Sequence, residues 1–192
     1  YLIDKFPMIE MEQNIFINAS VLPTKFLVSL IQNLSENKAL FIDDEPLAFF
    51  AKEDQEIDFK TFDILPYTND DILRIENTWD IFKLNGEAIK RDFKLLTTDR
   101  ESQLVPEMTI AFNKDQIFIE EGAVLPLCSL NANDGPIYIG KDSEIMEGAM
   151  IRGPFALCEN ATIKMGAKRY GATTIGPHSK IGGEVNNCVI FG

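Results

Sequence analysis

The chain has 192 residues, with 18 basic and 30 acidic side chains and a net charge of −12. Hydrophobic residues make up 45% and charged residues 25% of it, a composition typical of a globular protein and unlike that of a disordered or collagen-like one. The acidic excess excludes nucleic acid as the main partner, because phosphate backbones are bound through clustered Lys and Arg, and no apolar run reaches the roughly 18–20 residues of a membrane span.

The N-terminal part predicts an α/β segment. A buried strand is expected at 14–19, a helix opened by Pro23 follows, and two more strands are expected at 39–42 and 46–50. The apolar residues of this helix fall on one face; they are Phe26, Leu27, Leu30, Ile31 and Leu34. Strand–helix–strand order with so few strands predicts part of a sheet.

A long helix is expected from about Asp71 to Leu96. It contains Asn85-Gly86, where we expect a break or a cost of about 1 kcal/mol, because Gly is a poor helix former relative to Ala. Trp79 and Phe82 are predicted to be core residues that pack this helix against the sheet or against the segment that follows.

From residue 139 to residue 192 the chain divides without gaps into nine hexads: IGKDSE, IMEGAM, IRGPFA, LCENAT, IKMGAK, RYGATT, IGPHSK, IGGEVN and NCVIFG. The first position is aliphatic in seven of the nine, with Arg169 and Asn187 as the exceptions, and the fifth is small in seven. A helix repeats every 3.6 residues and a strand every 2, so a period of six predicts a solenoid. The alternative is a β-sandwich that happens to show this period.

Three short strands joined by corners would make one 18-residue coil, with each inward aliphatic side chain about 4.8 Å from its equivalent in the next coil. Weaker hexads from Ile119 and Leu125 predict one further coil before an insertion at 131–136. Gly140, Gly176 and Gly182 follow the aliphatic position and are expected to allow tight bends.

The hexads resemble the [LIV]-G-x-x-[STAV]-x repeat of hexapeptide-repeat acyltransferases. The resemblance implies a left-handed parallel β-helix and a homotrimer. It also implies clefts between adjacent β-helices that bind acyl-coenzyme A and the acceptor.

The layout as a whole is similar to the bifunctional N-acetylglucosamine-1-phosphate uridylyltransferase/glucosamine-1-phosphate acetyltransferase family, and in particular to its divergent sugar-nucleotidyltransferase branch. The strings that carry this resemblance are INASVLPTKFLVSLIQ (17–32), TWDIFKLNGEAIKRDFKLL (78–96) and MEGAMIRGPFALCENATIKMGAKRYGATTIGPHSKIGGEVNN (146–187). It implies a partial, Rossmann-type nucleotidyltransferase-like domain with a linking helix at 1–105, followed by a truncated β-helix at 106–192.

Two departures from this family concern nucleotidyl transfer. The glycine-rich nucleotide loop is absent, and Asn18-Ala19-Ser20-Val21-Leu22-Pro23 stands where relatives have a strand-end turn with a metal-binding Asp. No carboxylate is present there to hold Mg²⁺ against the phosphates. Mg²⁺ would serve nucleotidyl transfer, but no ligand for it is identified and no metal site is predicted.

His178 is the only histidine and therefore the only natural general base at neutral pH for acyl transfer. It occupies an outward hexad position, so a corner residue that faces solvent or an interface is the alternative. In the family the base lies in a Lys-x-x-His-like string, which by this register falls just past Gly192. We therefore expect the chain to be a fragment that has neither activity alone.

The basic residues of the repeat are candidates to bind phosphate or coenzyme A; they are Arg152, Lys164, Lys168, Arg169 and Lys180. The alternative is a solvated polar face, since carboxylates are interspersed among them. Arg169 differs because it replaces an inward aliphatic side chain, so its coil must bulge or its guanidinium must find partners.

The sequence thus predicts part of a sugar-1-phosphate nucleotidyltransferase/acyltransferase of nucleotide-sugar (UDP-N-acetylglucosamine-type) synthesis. Its expected ligands are an amino-sugar phosphate, acetyl-coenzyme A as co-substrate and a nucleotide triphosphate, and its expected partner is itself, in a homotrimer, with no nucleic acid and no membrane. Three cysteines and no signal-peptide layout predict a cytoplasmic location. The alternative is a non-catalytic trimerising scaffold with a degenerate sugar-nucleotide-binding domain.

Overall fold

The computed structural model describes residues 4, 7, 11–52, 55–68 and 71–192. The chain divides into two compact units, residues 1–76 and residues 77–192.

The first unit is built on a small mixed sheet. Its strands are β1 Gln13–Ile17, β2 Val21–Leu22, β3 Lys38–Ile42, β4 Glu45–Lys52, β5 Asp63–Pro66 and β6 Leu73–Arg74. Four of them form one sheet in the order β1-β4-β3-β5. In it β1 and β3 run antiparallel to β4, and β5 runs parallel to β3. The strands β2 and β6 form a separate antiparallel pair.

Helix α1, Lys25–Gln32, buries one face in the core of this unit through Leu27 and Ile31. Thr24 caps the helix, because its Oγ1 accepts a hydrogen bond from the backbone N–H of Leu27 at 3.1 Å. Pro23 therefore precedes the cap and does not open the helix as predicted. The buried face is also narrower than predicted, since Phe26 is 48% exposed.

Most of the second unit is a parallel β-solenoid of about four turns. Its strands are β7 Ile110–Phe112, β8 Ile117–Ile119, β9 Ser129–Asn131, β10 Ile137–Ile139, β11 Glu144–Ile145, β12 Met150–Arg152, β13 Phe155–Leu157, β14 Thr162–Ile163, β15 Lys168–Tyr170, β16 Thr173–Ile175, β17 Lys180–Ile181, β18 Glu184–Asn186 and β19 Val189–Ile190. The predicted fold class, an α/β segment followed by a parallel β-helix, is confirmed.

Three sheets form the faces of the solenoid. We call β7-β9-β12-β15-β18 the groove sheet, β8-β10-β13-β16-β19 the helix-covered sheet and β11-β14-β17 the third sheet. Ile139 pairs with Leu157, and Leu157 pairs with Ile175, so equivalent positions in these coils are 18 residues apart. All three side chains are fully buried in the solenoid core, as the hexads predict.

The last coil is shorter than gapless hexads predict. Arg169 pairs with Val185, and Ile175 pairs with Ile190, so Asn187 does not take the inward position that the repeat assigned to it. Two positions are lost at the corner before β18, where the carbonyl of Gly183 accepts from the N–H of Lys168 at 2.9 Å, and one more is lost between β18 and β19. Gly183 has a φ of 72°, a conformation that glycine adopts without the steric cost of a side chain.

Gly140 and Gly176 serve close packing between coils, which corrects the prediction that they allow bends. Neither lies in the left-handed region of φ. A Cβ at Gly140 would lie 2.7 Å from the carbonyl oxygen of Leu157, and a Cβ at Gly176 would lie 2.5 Å from the backbone nitrogen of Gly192. Each glycine therefore lets the next coil approach.

Helix α2, Asp80–Thr97, belongs to the second unit and packs on the helix-covered sheet. The predicted start near Asp71 is wrong, because Leu73–Arg74 forms strand β6 with β2 as its partner. The helix passes through Gly86 without a break. The small residue permits close contact with the solenoid, because a Cβ at Gly86 would lie 3.1 Å from Cβ of Ala172. Trp79 and Phe82 are 49% and 39% exposed, so the prediction that they are core residues is wrong.

Within the part of the chain that the structure describes, no helix has both the length and the apolar character that a membrane crossing requires.

Candidate functional site

The outer face of the groove sheet carries a cavity of about 390 Å³. Alternate residues of each strand point outward, so paired strands arrange their outward side chains in columns. In one such column, Met150 pairs with Ser129 on one side and with Lys168 on the other. The outward side chains that line the cavity are Phe112, Ser129, Asn131, Met150, Arg152, Lys168 and Tyr170. We call this cavity the groove.

Two predicted cations, Arg152 and Lys168, reach the groove, and each has a carboxylate partner. Nη1 of Arg152 donates to Oδ2 of Asp134 at 3.2 Å, and Nζ of Lys168 lies 3.8 Å from Oε2 of Glu184. All four side chains are more than half exposed. Because solvent screens such pairs, each is worth only about 0–1 kcal/mol, and an anionic ligand can replace the carboxylate.

The hydroxyl of Tyr170 completes this donor set. It donates to Oε1 of Glu184 at 2.5 Å. This hydrogen bond raises the pKa of Tyr170 above its ordinary value, because an ionised phenolate would face the carboxylate. The hydroxyl therefore remains a donor at neutral pH. A hydroxyl and an ammonium group that converge on one carboxylate are also suited to bind the oxygens of a phosphate.

Arg169 lies beneath the groove, inside the solenoid, and is 1% exposed. Its guanidinium finds partners in backbone carbonyls: Nη1 donates to Lys168 and Gly183 at 2.7 Å each, and Nη2 donates to Gly182 at 3.2 Å. Among the residues that the structure describes, no acceptor faces its Nε. Two outcomes were expected for an inward arginine, a bulged coil or a guanidinium with partners, and the structure shows a guanidinium with partners.

The buried charge of Arg169 contributes to the electrostatics of the groove. Burial lowers the pKa of Arg169 below its ordinary value, but a guanidinium does not lose its proton near neutral pH. Its carbonyl partners carry no net charge, so the positive charge is not cancelled locally and acts through a medium of low dielectric constant. An anion in the groove is attracted by this charge as well as by the two exposed cations.

The remaining predicted residues lie away from the groove. Lys180 is on β17 and Lys164 directly follows β14, both in the third sheet, while His178 is in the corner before β17. His178 has a φ of 59°, and Asn160 and Asp142, at equivalent corners of the two preceding coils, have φ values of 56° and 53°. Asn, Asp and His adopt this left-handed conformation more readily than other non-glycine residues. The structure does not bring His178 together with the groove cations.

Sequence reasoning missed Tyr170 and Glu184. The signal that would have found the groove is the coil length, because outward residues 18 apart become neighbours on the same face. Met150 and Lys168 share this spacing, as do Arg152 and Tyr170. Glu184 does not follow this 18-residue spacing, since the shortened last coil places it beside Lys168 only 16 positions later.

In the first unit, Asn18 holds a turn through its own side chain. Its Oδ1 accepts from the N–H and the hydroxyl of Ser20 at 3.0 and 2.8 Å, and its Nδ2 donates to the carbonyl of Pro46 at 3.3 Å. These neutral groups do not fit Mg²⁺, which is bound through carboxylates and water. Across the described ranges, no three His, Cys, Asp or Glu side chains cluster as a metal ion would require.

The fold and the groove define a protein in which an α/β unit precedes a parallel β-solenoid with a cation-lined outer face. The family model for sugar nucleotidyl transferases matches residues 1–101, more than half of the chain. The chain therefore belongs to the sugar nucleotidyl transferase family, which supports a transferase. No curated protein matches the chain.

Proposed function

We propose that the protein acts in nucleotide-sugar synthesis and transfers an acyl group from acetyl-coenzyme A to an amino-sugar phosphate held in the groove. The observation that carries this proposal is the position of Arg152 and Lys168 on one sheet face above the buried charge of Arg169. Membership of the sugar nucleotidyl transferase family supports a sugar phosphate as the ligand. The groove volume falls within the range of small-molecule sites.

In the proposed reaction the amine nitrogen of the sugar attacks the thioester carbonyl. A C–N bond forms and the C–S bond breaks; the amine loses a proton and the thiolate takes one up. The groove residues bind and orient the phosphate end of the acceptor. Since no histidine lines the groove, we place the base that accepts the amine proton outside it.

The test uses the full-length protein with acetyl-coenzyme A and glucosamine-1-phosphate, and measures free thiol. We expect thiol release in the wild type, and a KM for the sugar phosphate at least tenfold higher in Arg152→Met and Lys168→Met. Lys180→Met is the matched control, because it removes the same charge from the third sheet. No thiol release, or equal effects of all three substitutions, would overturn the proposal.

Nucleotidyl transfer has its own measurement. The full-length protein is incubated with UTP, N-acetylglucosamine-1-phosphate and Mg²⁺, and pyrophosphate is measured. We expect the 192-residue chain alone to release neither thiol nor pyrophosphate, and measurable turnover by it would contradict this expectation.

A second candidate function is a non-catalytic trimerising scaffold. It is favoured by apolar side chains on the same outer face: Ile110, Phe112 and Met150 are 61%, 50% and 57% exposed. Contiguous exposed apolar side chains favour burial against a partner. Sedimentation equilibrium that shows a trimer in a full-length protein without thiol or pyrophosphate release would support this function. A monomer would contradict this second candidate function.

A further inference from the structure

We propose that Glu184 is an internal competitor for the phosphate group of the groove ligand. Its carboxylate occupies the donors of Lys168 and Tyr170 that a phosphate takes when it binds. This inference rests on the proposed function in one respect, which is that a phosphate ester binds in the groove.

The geometry places one carboxylate between two donors. Glu184 is the residue of β18 that pairs with Lys168 of β15. Its Oε1 accepts from the hydroxyl of Tyr170 at 2.5 Å, and its Oε2 lies 3.8 Å from Nζ of Lys168. Lys168 and Tyr170 both line the groove. One oxygen of Glu184 thus takes up the hydroxyl donor of Tyr170, and the other forms an ion pair with the ammonium group of Lys168, both of which a phosphate would otherwise contact.

The carboxylate is held weakly enough to be displaced. The side chains of Lys168 and Glu184 are 57% and 54% exposed, so Glu184 can turn into solvent at little cost. A phosphate monoester carries about −1.5 to −2 charges near pH 7 and three strong acceptor oxygens. It is therefore the stronger partner for Lys168, and the buried charge of Arg169 favours it further. Glu184 lowers the affinity for the ligand without closing the groove.

The shortened last coil creates this competition. With a regular 18-residue coil, the residue beside Lys168 would be Asn186, a neutral side chain. The loss of two positions before β18 instead places Glu184 there and Asn186 beside Tyr170. The register of the last coil therefore sets the charge that faces Lys168.

The experiment is calorimetric titration of the 192-residue chain with glucosamine-1-phosphate and, separately, with inorganic phosphate at constant ionic strength. Removal of a screened charge pair predicts that Glu184→Gln binds both about two- to fivefold more tightly than the wild type. Glu144→Gln is the matched control, because it makes the same change of charge on the third sheet. Removal of both donors in Lys168→Met/Tyr170→Phe is expected to abolish the gain, so that this variant has equal affinity with and without Glu184→Gln, whereas Lys168→Met alone is expected to reduce the gain.

The outcomes separate this inference from the proposed function. Wild-type binding that Glu184→Gln leaves unchanged or weakens would overturn the competition and leave the groove as a phosphate site. An equal gain in Glu144→Gln, or a gain that persists in full when both Lys168 and Tyr170 have lost their donors, would also overturn it. If neither the wild type nor Glu184→Gln binds, the competition is overturned and the groove is not a phosphate site. Thiol release by the full-length protein would still support acyl transfer at another location.

Discussion

Asn85 of helix α2 donates from Nδ2 to the carbonyl oxygen of Ala172 at 3.0 Å. The same amide group lies 3.5 Å from the carbonyl oxygen of Cys188, and Oδ1 of Asn85 accepts from the hydroxyl of Thr174 at 2.8 Å. Ala172 and Cys188 precede neighbouring strands, β16 and β19. One buried side chain of the helix therefore links two successive coils of the solenoid.

We predict that Asn85→Asp lowers the free energy of unfolding by about 2–3 kcal/mol. The substitution replaces the donor with a carboxylate oxygen that faces two carbonyl oxygens, while the acceptor for Thr174 is kept. Urea unfolding measures the change, and Lys90→Ala on the exposed side of α2 is the control, with an expected change within about 0.5 kcal/mol. Equal unfolding free energies for Asn85→Asp and the wild type would show that this link does not stabilise the unit.

Arg169→Met tests the buried charge of the solenoid. Met has a similar length and needs no partners, so the saved desolvation cost offsets the lost hydrogen bonds, and we expect stability within about 1 kcal/mol of the wild type. Arg169→Ala leaves a cavity and is expected to cost about 3 kcal/mol. Phosphate affinity should fall in Arg169→Met and not in Lys180→Met, which removes a charge from the third sheet. If Met destabilises as much as Ala, the guanidinium itself is required to hold the last coil.

Substitutions of His178 test whether the left-handed corner conformation or catalysis explains the histidine at this position. We predict that His178→Asn keeps the stability of the wild type, because Asn tolerates a left-handed conformation, whereas His178→Val costs about 1–2 kcal/mol. Asn160→Val, at the corner one coil earlier, should show a similar loss. Thiol release by the full-length protein is expected to survive in His178→Asn. A stable variant with a more than hundredfold loss of kcat would instead identify His178 as the base.

We predict that ionisation of Tyr138 lowers the free energy of unfolding at alkaline pH. Its hydroxyl donates to Glu120, whose two oxygens also accept from Nη2 of Arg100 at 2.9 and 2.8 Å. Burial, followed by the hydrogen bond to Glu120, raises the pKa of Tyr138 from 10 to about 12. Because the pKa of the folded state is the higher one, this contribution to stability is complete below pH 10 and is lost as the pH rises from 10 to 12.

The measurement is urea unfolding at several pH values between 8 and about 11. We expect the free energy of unfolding of the wild type to fall relative to that of Tyr138→Phe as the pH passes 10. The comparison removes the contribution of the other tyrosines, which both proteins share. A difference between the two proteins that does not change with pH would contradict the raised pKa.

The solenoid was predictable because its cause is local in sequence. Each hexad must place one side chain inside a narrow core, so aliphatic residues recur at Ile139, Ile145 and Ile151 and are buried as expected. Helix α2 was less predictable at its start, since Leu73 and Arg74 are compatible with a helix by pattern and become a strand only through their pairing with Val21 and Leu22. By helix propensity Gly86 is a weak point of the helix, whereas in the structure its small size permits contact with Ala172.

By itself the sequence determined the α/β segment, the period of the solenoid and the inward position of Arg169, because these follow from the alternation of apolar and polar residues along the chain. Only the tertiary structure decided that Arg169 finds the carbonyls of Gly182 and Gly183, and that Glu184 lies beside Lys168. The physical reason is the register of the last coil. Two positions lost at one corner change which side chains meet between coils, and no local pattern in the sequence records such a shift.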